Sequence, residues 1–518
     1  MRIAKLLLIP IAYSKLLFIF IELNLKPFLM KNLLLTLFIS LLFLSVFSGC
    51  SQKKQTKKNL PNIVLIFMDD MGYGDIGSFG AIDYQTPNLD NLAVEGMRFT
   101  NFYAAQAVCS ASRAGLLTGC YPNRIGFSGA LMPWAKMGLS DKEMTIAELL
   151  KQKGYATGMA GKWHLGHLKP FLPLQHGFDE YIGLPYSNDM WPVDYDGTPV
   201  TKNSSKPWKS RYPQLPLIDG NEKVKEIRTL DDQGSLTTIY TERAVNFINK
   251  NKDKPFFFYL AHSMVHVPLG VSDKFKGKSK QGLFGDVMME IDWSVGQVLK
   301  ALKDNGLEDN TLVIFTSDNG PWLNFGNHAG STGGLREGKG TSWEGGQREP
   351  CIVKWPGVVP EGTICNKLSA TLDILPTIAA ITGTQLPEHK IDGVNILPLF
   401  KGDADANPRD HFYYYYRRNS LEGVRKGHWK LVLPHSYRTY AMYLPGNDGF
   451  AGKTGTETTG LALYDLRRDP GEHYDVKELY PDVVKDIMVL VENARKDLGD
   501  ELTDNEGLNR RPPGRVSK

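Results

Sequence analysis

Cysteine is scarce in this sequence. Five residues in 518, Cys50, Cys109, Cys120, Cys351 and Cys365, include no Cys-x-x-Cys pair. That excludes a disulfide-dense scaffold and a thiolate zinc module. Charge of one sign is lacking too. Sixty Lys and Arg against 56 Asp and Glu leave a net +4, too weak over this length to mark a nucleic-acid binder. There is no internal repeat and no nucleic-acid motif. What remains is ordinary for a globular protein, 42% hydrophobic and 22% charged. The length suits two packed units, or one large α/β domain with a smaller appendage. The 51 glycines and 30 prolines point to an enzyme with loop-built sites.

The first fifty residues are of another kind. From Met30, MKNLLLTLFISLLFLSVFSGC joins a basic start, a long apolar run and small residues before Cys50, the pattern of an export signal. Its ending FSGC resembles a bacterial lipoprotein cleavage box, with Phe47 where leucine is usual. Lipidation is therefore expected at Cys50, with residues 51–60 as a polar tether. The expected location is the periplasm or the outer membrane, reached through the lipid anchor. Residues 1–29 add a second apolar, basic stretch that a signal does not need. Met30 is read as the start, the alternative being a transmembrane anchor. In an oxidising compartment Cys351–Cys365 is the expected disulfide. A Cys109–Cys120 bridge stands as the rival to any chemical role for Cys109.

Along the chain, apolar strand-like runs alternate with helical patterns, as in an α/β fold around a largely parallel sheet. NIVLIF (62–67), YATGMAG, PFFFYLA (255–261) and TLVIFTS (311–317) read as strands. TPNLDNLAVEG reads as a helix with Thr86 at the N-cap and Pro87 in the first turn. TIAELLKQKG carries a Thr145/Glu148 capping box. Further helices are expected over 237–250 and about 286–305, and DILPTIAAITG (373–383) closes this region. The catalytic domain is placed at 61–385. A C-terminal α+β subdomain follows at 386–500, with short antiparallel strands at 411–417, 426–433 and 461–466 and a helix at 481–498. The tail 501–518 reads as disordered.

Four of these strands run straight into polar residues: NIVLIFMDD, ATGMAGKWHLGH, FFFYLAHSMVH and TLVIFTSDNG. In open α/β sheets the binding crevice lies at the carboxyl ends of strands. Asp69, Asp70, Asp318 and Asn319 are hard oxygen donors with no Cys or His beside them in sequence, which favours Ca²⁺ or Mg²⁺ over zinc or iron. Alone, either pair would be turn chemistry. Arg113, Lys162, His164, His266 and Lys339 form a cationic or basic set, Lys339 within the Gly-rich REGKGTSWEGGQREP. Around a metal they describe a pocket for a tetrahedral oxyanion. Phosphate and sulfate esters both fit.

At this point the motifs match a known family. CSASR with LLTG behind it resembles the C/S-x-P/A-x-R signature of type I sulfatases. FMDDMGYGDIGSFG, GKWHLG, GFDEYIGLPYSND, SDNGP, GKGTSWEGGQREP and LYDLRRDPGEHYDV agree with it in order. The resemblance covers roughly residues 61–480. It implies an alkaline-phosphatase-like α/β fold with a C-terminal subdomain carrying a small antiparallel sheet. It also implies oxidation of Cys109 to formylglycine, whose hydrate is the nucleophile. Asp69, Asp70, Asp318 and Asn319 would hold Ca²⁺, with Mg²⁺ less fitting. Arg113 and His164 would support the hydrated aldehyde. Lys162, Lys339 and Ser187 would line the sulfate pocket, and His266 would protonate the leaving alcohol, ahead of His262. Cys120 departs from the family's usual LTGR.

The implied chemistry needs a second hydroxyl on residue 109 to expel sulfate, which a thiol lacks. The expected partners are a sulfated poly- or oligosaccharide and a sulfatase-maturing enzyme. Asn188, Asp189, Met190 and Trp191 are candidates for the sugar pocket. A phosphoric ester hydrolase on the same fold is the rival enzyme, although it would ask for two close metal ions. A non-catalytic surface glycan-binding lipoprotein is the rival from another class.

Overall fold

Runs of Val, Ile, Leu and Phe with no polar alternation need cover on both faces. In the computed structural model, which describes residues 60–204 and 206–516, Asn62–Met68, Ala156–Gly161, Phe256–Ala261 and Thr311–Ser317 are strands buried throughout. They lie side by side and parallel at the centre of an eleven-stranded sheet. Glu180–Gly183 continues it in parallel, and Leu215–Asp219 and Glu222–Ile227 close that side antiparallel. On the other side Arg348–Lys354 runs antiparallel to both Thr311–Ser317 and Met97–Tyr103. Alternation along Asn62–Met68 supplies both faces. Val64, Ile66 and Met68 enter one core with helices Leu236–Asn251 and Gly282–Asp304. Ile63, Leu65 and Phe67 enter the other, with helices Cys109–Thr118, Ile146–Lys151 and Ile374–Thr382.

The expected capping box at Thr145 and Glu148 is present. Thr86 does stand at its helix start, but its hydroxyl accepts from Gly77 N at 2.9 Å instead of capping the helix. The C-terminal sheet orders His411–Tyr416, Ser420–Lys426, Trp429–Val432 and Ala462–Asp465, all antiparallel. The stretch read as one strand at 426–433 is split by a turn at 427–428, with Lys426 ending an additional strand, Ser420–Lys426, and Trp429–Val432 forming the next. Ile487, Val491, Ala494 and Leu498 of helix Pro481–Leu498 pack on this sheet at helical spacing.

Two expectations fail. Cys351 and Cys365 are free, as are Cys109 and Cys120. Cys351 and Cys365 both pair with Phe99, from opposite sides of the Met97–Tyr103 strand. Two strand spacings, about 9.5 Å, separate them, beyond the reach of a disulfide. The tail is ordered through residue 516: Gly514–Arg515 pairs with Met137–Gly138, and Arg511 holds Glu143 at 2.7 and 2.8 Å. The leader, Cys50 and the tether to residue 59 lie outside the described residues. Among the described residues no helix is long and apolar enough to cross a membrane.

Candidate functional site

Strand register gathers the reactive residues. Met68 pairs with Ser317, so Asp69 and Asp70 emerge beside Asp318 and Asn319. Phe67 and Gly161 are both level with Ala261, which brings Lys162 and the His262–His266 segment to the same edge. Gly161 has φ +117°, and a Cβ there would fall 1.7 Å from Ala261 O. Only glycine permits that close approach. Asp70 and His164 hold left-handed backbone at φ 59° and 60°, local strain of the kind concentrated at functional sites.

Cys109 opens the helix Cys109–Thr118, whose N-terminus has no side-chain cap. Ala111 N donates to Gly129 O at 3.3 Å, so the N–H groups of Cys109 and Ser110 are the ones available to an anion. Arg113, one turn on, is fully buried. Its Nε and Nη2 donate to Asp318 Oδ2 at 3.0 and 2.8 Å, and its Nη1 to Lys162 O at 2.9 Å. Lys162 Nζ donates to Asp69 Oδ2 at 2.5 Å and to Ser187 Oγ at 3.2 Å. Lys339 Nζ donates to both oxygens of Asp70, at 2.6 and 2.8 Å. Asn319 Nδ2 donates to Asp70 Oδ1 at 2.7 Å. Every sequence-expected site residue except His164 and Cys109 is thus tied directly to this acidic pair or to a neighbour of it.

The electrostatics follow from burial and charge. Burial alone would raise the Asp69 carboxyl, but Lys162, His266, Arg113 and Lys339 together pull it far below the usual range. Asp318 is pushed up to about 7 by burial and then by the charge of Asp69. Burial raises the Cys109 thiol, so it stays protonated against the pull of Lys162 and Lys339. Burial, then Lys162, holds His164 well below its usual value. Its Nε2 donates to Leu131 O at 2.9 Å, and Nδ1, without a partner, carries the lone pair. Glu349, buried behind the site with both carboxylate oxygens unpartnered, is raised by burial and then by Asp318, Asp70 and Asp75.

The residues present fit a hard divalent cation. Asn319 Oδ1 is a buried acceptor with no hydrogen-bond partner, and Asp69 Oδ1 has no hydrogen bond and only Arg113 Nη2 at 3.7 Å, which costs free energy unless a further cation or donor meets them. The tertiary structure corrects one expectation here. Donor atoms of Asp69, Asp70 and His266 lie within 4.8 Å of one another, so an imidazole does stand beside the acids. His266 Nδ1 donates to Val267 O at 2.5 Å, leaving Nε2 3.6 Å from Asp70 Oδ2.

Other expectations sort differently. His262 turns away to Ser294 Oγ at 3.1 Å, and burial lowers it to about 3. Met190 and Trp191 are core residues. Asn188 is buried and ties His266 O and Pro268 O, so it positions that loop. Of the four sugar-pocket candidates only Asp189 is partly exposed, accepting from Tyr195 Oη at 3.1 Å. Sequence reading missed Trp322, whose ring lies 5.7 Å from His266 and 4.9 Å from Lys339 Nζ, although it directly follows SDNGP. It also missed Tyr416, packed on the cluster of Val108, Cys109 and Ala111, and no local signal announces it. Lys430 and Glu472 hold the segment after Lys339 from the C-terminal side through Glu344, whose N–H donates to Glu472 Oε2 at 2.7 Å. Lys430 Nζ bridges Glu344 and Glu472 at 3.2 and 2.7 Å and donates to Ser342 O at 2.8 Å.

Comparison with known proteins agrees with this geometry. The family model described as Sulfatase matches residues 61–384, and the model described as N-sulphoglucosamine sulphohydrolase, C-terminal, matches residues 338–497. Arylsulfatase A of Bos taurus is 37% identical over 83% of this chain and 86% of its own length. N-acetylgalactosamine-6-sulfatase of Canis lupus familiaris is 36% identical over 88% and 90%. The crystal structure of PsFucS1 sulfatase from Pseudoalteromonas sp. superposes with a TM-score of 0.75 and 28% identity, over 87% of this chain and 93% of that one.

Proposed function

Because the chain belongs to the sulfatase family and is a sulfuric ester hydrolase, we propose that it cleaves sulfate esters of poly- or oligosaccharides outside the cytoplasm, with a formylglycine made from Cys109 and one Ca²⁺. The observation that carries this reading is the convergence of Cys109, at an uncapped helix N-terminus, with Arg113, Lys162 and Lys339 and two acidic strand ends. A buried thiol held protonated is a poor nucleophile, which supports its replacement by an aldehyde hydrate. With Cys109 only 2% exposed, the maturing enzyme meets this segment before it folds.

Asp69, Asp70, Asp318 and Asn319 would hold the ion, which when bound lowers the pKa of a coordinated hydroxyl and neutralises a sulfate oxygen. With those carboxylates committed to a cation, the Lys162 and Lys339 ammoniums are left to the sulfate oxygens. They would stabilise charge as it develops there. Arg113 orients Asp318, and Ser187 orients Lys162. The His164 Nδ1 lone pair, without a partner in the cysteine form, would accept a hydrogen bond from a hydroxyl of the residue-109 hydrate. His266, whose Nδ1 already donates to Val267 O, would serve the leaving alcohol as its charged form with a second proton on Nε2, a form that burial disfavours and that Asp70 at 3.6 Å supports. The saccharide class is supported by the name of the N-acetylgalactosamine-6-sulfatase relative. The signal-like run from Met30 with its FSGC ending supports export and lipidation at Cys50, and with them action at the cell envelope. Among the described residues one cluster of three metal-ligand groups occurs, which suits a single ion better than the two close ions of a phosphoric ester hydrolase.

The test is turnover of matched aryl sulfate and aryl phosphate by protein co-expressed with a maturing enzyme, with mass spectrometry of the residue-109 peptide. Preferred sulfate turnover, loss of it in Cys109→Ala, and conversion of CH₂SH to CHO are expected. Activity should vanish on chelation and return with Ca²⁺. Preferred phosphate turnover, or full activity with an unmodified thiol, would sink the reading.

A further inference from the structure

Two partly buried cations stand beside the sulfate-pocket lysine without a carboxylate of their own. Arg438, on the His435–Thr439 strand, is half-buried. Its Nη1 donates to Tyr440 Oη at 3.4 Å, and Tyr440 Oη donates to Lys339 O at 2.6 Å. A Cβ at Gly340 would lie 2.8 Å from Tyr416 Oη and 3.3 Å from Arg438 Nη1, and Gly340 has φ +79°. Glycine at 340 therefore lets Arg438, on a separate two-stranded ribbon with Gly455–Thr459, and Tyr416, at the end of a C-terminal sheet strand, both come up to the Lys339 segment. Tyr416 in turn packs on the Cys109 cluster.

Lys206 approaches the same place from another loop. Its Nζ lies 4.5 Å from the Tyr195 ring centre and 5.6 Å from those of Trp322 and Phe325. It donates to Tyr195 Oη at 3.4 Å. Trp322 is also the ring under Lys339 Nζ and beside His266, so Lys206 is one aromatic side chain away from the reacting sulfate. Neither Arg438 nor Lys206 forms an ion pair among the described residues. Burial lowers Lys206, the charge of Arg438 adds to that, and Asp189 and Asp194 oppose it. Asp189 already accepts from Tyr195 Oη. Unpaired, half-desolvated cations of this kind call for a mobile counter-anion.

We propose that Arg438 and Lys206 form a second anion-binding subsite, which takes a further sulfate or carboxylate carried by the same saccharide beside the ester being cleaved. This rests on the reading of the chain as a glycan sulfatase. The subsite makes the enzyme selective for multiply charged saccharides, with Trp322 as the sugar-facing wall between the two anions.

The experiment uses the mature enzyme with four substrates: an aryl monosulfate, a disulfated disaccharide, a monosulfated disaccharide containing a uronate, and its carboxyl-reduced form. In Arg438→Gln the ratio of kcat/KM for doubly to singly charged substrates should fall about tenfold or more, chiefly through KM. Lys206→Gln should lower the same ratio, and Arg438→Lys should keep most of it. The substrate arm that loses more identifies sulfate or carboxylate as the natural anion. An unchanged ratio in Arg438→Gln, or equal losses on every substrate, would overturn the subsite while leaving the sulfatase reading intact. A wild-type enzyme that cleaves none of the sulfate esters would overturn both.

Discussion

Replacing Arg113 by methionine removes a buried charge from among buried carboxylates, and the structure sets the size of the effect. Arg113 and Asp318 are both 0% exposed, joined by two hydrogen bonds at 3.0 and 2.8 Å, with a third from Arg113 to Lys162 O. Taken separately, three charge-assisted bonds at about 1.5–3 kcal/mol each would sum to about 4.5–9 kcal/mol. They share one side chain and are not additive, so the measured cost of breaking a buried pair, about 3–5 kcal/mol, is the better guide. Methionine recovers part of the packing on Phe67, whose ring centre lies 5.4 Å from the guanidinium. With an unfolding entropy of about 2.1 cal/mol/K per residue, roughly 450 ordered residues give about 1 kcal/mol/K, hence a fall in apparent Tm of about 3–5 °C. Arg113→Lys keeps the charge but loses the fork, and should fall less than half as far. Differential scanning fluorimetry at one scan rate reads the stability, and aryl sulfate turnover reads the chemistry, where a loss of about 100-fold or more is expected for the methionine variant. A methionine variant within a degree of wild type and retaining a tenth of its activity would refute the assignment of Arg113 as the organiser of Asp318.

Two further outcomes follow from buried groups outside the reacting centre. Asp75 is 1% exposed, accepts from Gly72 N and Ser331 N at 2.7 Å, and is held at about 7 by burial against a usual 3.8. The folded state binds this proton more tightly than the unfolded chain, so its contribution to stability is present below about pH 4 and is lost as pH rises towards 7. The loss is about 4 kcal/mol at most. Apparent Tm measured from pH 4 to 8 should therefore decline less steeply in Asp75→Asn than in wild type, and identical slopes would dismiss the burial argument. Arg511 ties the tail to Glu143, which is 1% exposed. Arg511→Ala should lower apparent Tm by about 1–3 °C by leaving that carboxylate short of donors, and no change would mean that the tail contributes nothing.

Much of the site was legible in the sequence because it is built at strand ends. A run such as NIVLIFMDD states in one line that a fully buried strand stops and that two carboxylates follow. The parallel register of Met68 with Ser317 then leaves Asp70 and Asp318 little choice but to meet. Lys162 was readable for the same reason, whereas the role of Cys109 came from the resemblance carried by CSASR, and Lys339 was singled out by its Gly-rich loop. His266 was named at a strand end as well, but its approach to 3.6 Å from Asp70, 196 positions away in sequence, is made only by the sheet.

The errors have a common origin in distances between elements. Asn188, Met190 and Trp191 read as a polar-aromatic sugar pocket, yet two are core and one is a loop anchor. Composition does not say which side of a loop faces the sheet. Cys351 and Cys365 looked like a pair until Phe99 was found between them. The tail looked free until Arg511 met Glu143. Local pattern determined which segments are buried strands, where they stop and which reactive groups follow, because burial and backbone geometry are decided within a few residues. Only the tertiary structure decided that Tyr416 packs on the Cys109 cluster, that Arg438 comes up to Gly340, and that Lys206 lies over Tyr195 and beside Trp322. Those contacts come from separate elements, and their meeting depends on how whole layers pack.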